Sequence, residues 1–113
     1  MEISFTERAM DTPQVNEYFL SVPYTGDIAM AFMDNAMVLD HFWQGMPWRI
    51  GLNRFADKMS AGKPMGFYFR PLRAEAPFLS DIPAEFVPDF SQGPVLEIGD
   101  PQIIPEYVMT ISL

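Results

Sequence analysis

"GDIAMAFMDNAMVLDHFWQG", residues 26–45, decides how this chain is to be read. Ile28, Met30 and Phe32 alternate, and Asp34-Asn35 could turn a hairpin between two apolar runs. The helical reading carries more weight. Alanine and methionine favour helix, Asp27 can cap the start and Gly45 can end it, and Asp27, Asp34 and His41 recur every seven residues as one polar stripe. The expectation is a long, nearly all-apolar helix, buried except along that stripe.

Immediately downstream, Pro47 suits a helix start, and Trp48, Leu52, Phe55 and Met59 follow at spacings of four, three and four, with Gly62 as a stop. The spacing predicts an amphipathic helix over 47–61, with Arg49, Asn53, Arg54, Asp57 and Lys58 on its outer face. Upstream, "DTPQVNEYFL" offers Asp11 or Thr12 as N-cap with Pro13 at the first helical position and Val15, Tyr18 and Phe19 on one side. A short helix ending before Pro23 is expected there. Residues 2–8 alternate Ile3 and Phe5 against Ser4 and Thr6, a strand period, as do Met65, Phe67 and Phe69 against Tyr68 and Arg70.

From Pro77 the prolines multiply, so residues 74–94 read as an irregular wrapping loop with one helical turn near Ala84 to Phe86. Strands are expected around 95–98 and 103–112, the second with Tyr107, Met109, Ile111 and Leu113 on one face. The expected architecture is a single α+β domain over residues 1–113. An N-terminal strand comes first, then two to three central helices, then C-terminal antiparallel strands with Pro-rich loops.

Composition excludes much chemistry. With 113 residues, 49% of them hydrophobic, the chain can bury one core. No cysteine is present, which removes disulfides, thiolate nucleophiles and cysteine-bound metals. Glu2, Glu7 and Arg8 stand where a secretory signal would need a basic start and an apolar run, so no export by a cleaved signal is expected. The longest apolar stretch, Ile28 to Met33, is far below the ~20 residues of a membrane helix, and no membrane association is expected. Phosphate-loop, dinucleotide-turn, nucleophile-elbow and zinc-protease motifs are absent from the sequence.

His41 is the one side chain that titrates near neutrality unaided. A general base needs an acceptor to orient it. On a helix Asp34 lies ~10.5 Å away along the axis and Asp40 points ~100° around it. His41 is therefore read as a structural residue, and Trp43 and Trp48 as packing around the Gly45-Met46-Pro47 corner. Asp81, Glu85 and Asp89, spaced by four, could align carboxylates for a cation, but Pro88 argues against one continuous helix. They read as a solvated acidic loop. "GFYFR", residues 66–70, is read as a core strand in preference to a base-stacking one. No catalytic residue, metal ligand or cofactor is assigned.

Charge is the informative feature, because the net −8 is unevenly spread. Residues 1–48 carry seven acids and Arg8; residues 49–73 carry six bases and Asp57; residues 74–113 carry seven acids and no base. Arg49, Arg54, Lys58, Lys63, Arg70 and Arg73 could pair with the acidic segment wrapped over them, or meet an acidic face of another molecule. The expected function is a non-enzymatic protein–protein interaction or assembly module, self-associating or docking on a larger protein. The candidate binding residues are Trp48, Arg49, Arg54, Lys58, Arg70 and Arg73, with Asp81, Glu85 and Asp89 in the acidic segment. Smallness, acidity and lack of cysteine suit a viral assembly or accessory protein in the cytoplasm or virion.

Two alternatives stand beside this. One is an acidic inhibitor that imitates nucleic acid and fills the basic groove of a nuclease or defence enzyme. The other is a small ligand-binding domain or enzyme using His41 with Arg49 or Arg54. Direct nucleic-acid binding is disfavoured, since acidic segments flank the basic band.

Overall fold

Alternation of buried and exposed side chains, the period of a strand, runs through most of the chain. The computed structural model describes residues 1–4 and 15–107. Along these residues lie β1 (Glu2–Ile3), β2 (Val15–Val22), β3 (Tyr24–Thr25), β4 (Ile28–Met33), β5 (Ala36–Phe42) and β6 (Trp48–Gly51). A 3-10 turn (Asn53–Phe55) then leads into α1 (Ala56–Ser60), followed by β7 (Met65–Arg70), β8 (Glu97–Ile98) and β9 (Gln102–Tyr107). Two further 3-10 turns, Pro77–Asp81 and Ala84–Phe86, lie between β7 and β8.

The α+β expectation with two to three central helices is overturned: strands dominate the described residues, and their one α-helix is Ala56–Ser60, entered through the 3-10 turn Asn53–Phe55. Residues 26–45 form a hairpin. Asp34 and Asn35 sit at φ 52° and 61°, the left-handed pair of a tight hairpin turn whose twist matches its strands. Residues 15–22 are a strand, because Tyr18, Leu20 and Val22 point one way into the core. The expected cap at Asp11 to Pro13 lies outside the described residues. Trp48, Leu52, Phe55 and Met59 are all buried, as the helical spacing of 47–61 requires, yet Ile50 is buried too. The period is two up to Leu52, and pairing with β2 holds 48–51 extended. The N-terminal strand is observed at Glu2–Ile3; its continuation to residue 8 lies outside the described residues, as does the C-terminal face beyond Tyr107.

Two sheets face each other. One has the order β1-β7-β4-β5 and the other β6-β2-β9, all neighbours antiparallel. The small β3–β8 pair and a bridge between Leu72 and Val95 extend the connections between them. Ala29, Ala31, Met33, Met65 and Phe67 from the first sheet share one buried cluster with Tyr18, Leu20, Val22, Trp48 and Ile50 from the second, and Phe55 and Met59 belong to it as well. The molecule is broad and thin, 51 × 43 × 19 Å between Cα extremes. Its radius of gyration is 16.6 Å, where roughly 13 Å is usual for a domain of this length.

Candidate functional site

Between the sheets lies an aromatic seam. His41 stacks on Trp48 with ring centres 5.2 Å apart, and Trp48 meets the edge of Phe67 at 5.9 Å. The Tyr24 hydroxyl and His41 Nδ1 share a hydrogen bond of 2.6 Å, and the same hydroxyl lies 3.4 Å from the His41 carbonyl oxygen. Burial holds the His41 pKa below its ordinary value. Burial, reinforced by the Asp27 carboxylate, pushes the Tyr24 phenol far above its ordinary range. Among the described residues no carboxylate bonds to this histidine, and its polar side-chain contact is a phenol that is itself hard to ionise. The seam packs aromatic rings against one another.

The candidate binding residues scatter. Trp48 is in the seam, 6% exposed. Lys58 and Lys63 both reach Asp34, at 2.8 and 3.2 Å, and their hydrogen bonds lower the pKa of that carboxyl. Arg70 binds Asp27 at 2.8 Å. Arg49 lies over Phe19, 4.4 Å from the ring centre, and Arg54 over Phe55 at 5.0 Å. Among the described residues no ion pair joins 49–73 to the acidic segment; the basic residues that pair do so with Asp27 and Asp34 of the hairpin. Arg73 lines a groove of about 660 Å³ with Phe42, Arg70, Pro77 and Phe78. Asp81 ends one 3-10 turn, Glu85 lies in the next, and Asp89 accepts from the Ser91 backbone and hydroxyl, so the three share no helix face. Among the described residues no three acids or histidines gather as a metal site. Nor is any described helix long and apolar enough to cross a membrane.

What the structure does gather is a surface that sequence reasoning missed. Paired residues on neighbouring strands share a face. On the side of the four-stranded sheet away from the core, the register sets three rows: Phe42–Ile28–Arg70, Asp40–Met30–Tyr68 and Met37–Phe32–Gly66. Met37, Tyr68 and Phe42 are 53%, 54% and 62% exposed, with Met30 and Phe32 half-buried between them. Asp40 is the one charge in these rows besides Arg70, which Asp27 already neutralises. A signal for this face was present, since strands covered on both sides read as continuous apolar runs, as Ile28 to Met33 does.

Compared with protein-family models, with curated proteins and with solved structures, the chain shows no match.

Proposed function

We propose that this chain is a non-enzymatic protein–protein interaction or assembly module. The observation that supports the reading most is the outer face of the four-stranded sheet, where Met37, Phe42 and Tyr68 stand more than half exposed around Met30 and Phe32. Apolar patches of this kind, contiguous and rimmed by polar residues, are characteristic of contact surfaces. Water gains nothing from them and a partner does. The charges of the basic band add register and speed of encounter, through Arg73 at the groove, Arg49 on the other sheet and Arg54 in the 3-10 turn that follows it.

A photoreactive phenylalanine analogue at position 68 tests the reading, with the same group at Ser21 on the opposite face as control. Protein adducts from position 68 and none from position 21 are expected. No adduct from 68 in purified protein or in cell extract overturns it. Adduct formation should persist at ~0.5 M salt, because apolar contacts are not screened whereas exposed charge contacts are.

A further inference from the structure

We propose that the partner seated on this face is a second copy of the chain, stacked sheet on sheet about a two-fold axis that runs along β4. The inference rests on the reading of the chain as an interaction module and names its partner. An axis along β4 exchanges left and right across that strand, so the β5 of one copy lies over the β7 of the other. Each of the three rows then meets its own reverse.

In the row Met37–Phe32–Gly66, the long exposed methionine of one copy faces the glycine of the other. A Cβ built on Gly66 meets nothing nearer than the Phe32 carbonyl oxygen at 4.0 Å, so the position is an open socket. In the row Asp40–Met30–Tyr68, the phenol hydroxyl of one copy can donate to the carboxylate of the other, which supplies the hydrogen bond that Asp40 needs once water is excluded. In the row Phe42–Ile28–Arg70, an exposed ring faces a guanidinium, a cation–π pairing. Met30 and Phe32 lie on the axis and meet themselves. Glu2, at the far end of the Gly66 row, falls outside the overlap. A surface whose rows are complementary to their own reversal is what an isologous contact requires.

Facing sheets pack about 10 Å apart and within about 30° of parallel, which keeps three rows in contact.

The test uses the purified full chain. Light scattering across concentration is expected to give twice the 12.9 kDa chain mass for the unaltered protein, and the single mass for Gly66→Lys and for Tyr68→Lys. Both substitutions place their side chain in open space, so far-ultraviolet circular dichroism should be unchanged. Because the chain has no cysteine, Met30→Cys provides one thiol on the axis. A bismaleimide spanning about 10 Å should join two copies through it, and should not do so in Met30→Cys with Gly66→Lys or in Ser21→Cys. A dimer that survives both lysine substitutions overturns the inference and leaves the interaction-module reading standing, as does a monomer at every concentration whose position 68 still crosslinks to another protein. A monomer with no adduct at all overturns both.

Discussion

The two sheets of this protein have inner faces alike and outer faces opposed. Inward, both present aromatic and aliphatic side chains to one seam. Outward, the β6-β2-β9 sheet carries Glu17, Ser21, Arg49, Gln102 and Glu106, with exposed Ile104 beside Phe19, whose ring is covered by the Arg49 guanidinium. The β1-β7-β4-β5 sheet carries Met30, Phe32, Met37, Phe42 and Tyr68 at the equivalent positions. A single-domain sandwich that faced only water would dress both outer faces as the first is dressed. The contrast teaches that the two outer faces meet water on different terms, and it is the ground on which the second is proposed as a contact surface.

The layer common to both sheets should give the largest effect when broken. Trp48→Ala removes the ring that joins His41 to Phe67 and is expected to cost about 3–5 kcal/mol in a urea titration. Next is the hairpin that carries the apolar face. Asn35→Val forces a β-branched residue to φ 61°, at about 1–2 kcal/mol, whereas Asn35→Gly should not destabilise. Lysines at Met37 and Tyr68 together should change the unfolding free energy of the monomer by no more than about 0.5 kcal/mol while halving the mass in solution. Ser21→Lys with Gln102→Lys, the mirror experiment on the polar face, should change neither. Equal effects from the two pairs would erase the distinction between the faces.

Smaller effects sharpen the picture of the seam and the turn. The His41 pKa is lower in the folded chain than in the unfolded one, so the unfolded state binds the proton more readily. The stability contributed by neutral His41 is fully present above about pH 6.5 and is lost as pH falls through the folded value. Urea midpoints at pH 7.5 and 5 should therefore diverge less in His41→Gln than in the parent chain. The smallest change is expected from Asp34→Asn. Its two lysine partners are exposed and salt-screened, so the midpoint should stay within measurement error at 0.15 M salt.

Burial was more legible than element type. Trp48, Leu52, Phe55 and Met59 are buried as their spacing implied, and β7 appears with Met65 and Phe67 buried and Tyr68 and Arg70 exposed. What misled is local. Asp27, Asp34 and His41 recur at a helical interval, yet one ends at an ion pair with Arg70, one makes the turn and one stacks in the seam. Their spacing is a coincidence of hairpin length. The Asp-Asn pair between apolar runs was the true signal, outweighed by alanines and methionines whose helical preference amounts to tenths of a kcal/mol per residue. Both faces of β4 are apolar, so the alternation that marks a strand is absent there.

The sequence by itself determined which side chains leave water, the absence of thiol chemistry and the segregation of charge, because composition and hydrophobicity are properties of residues. Tertiary structure decided whether residues 26–45 would be one helix or two strands, and where each charge would go. Pairing of β4 with β7, and of β2 with β6 and β9, joins residues 26 or more positions apart, and the free energy of such ladders is invisible to any local window. The same long-range pairing set Met37, Tyr68 and Gly66 on one surface, and so made a candidate interface from residues that look unrelated along the chain.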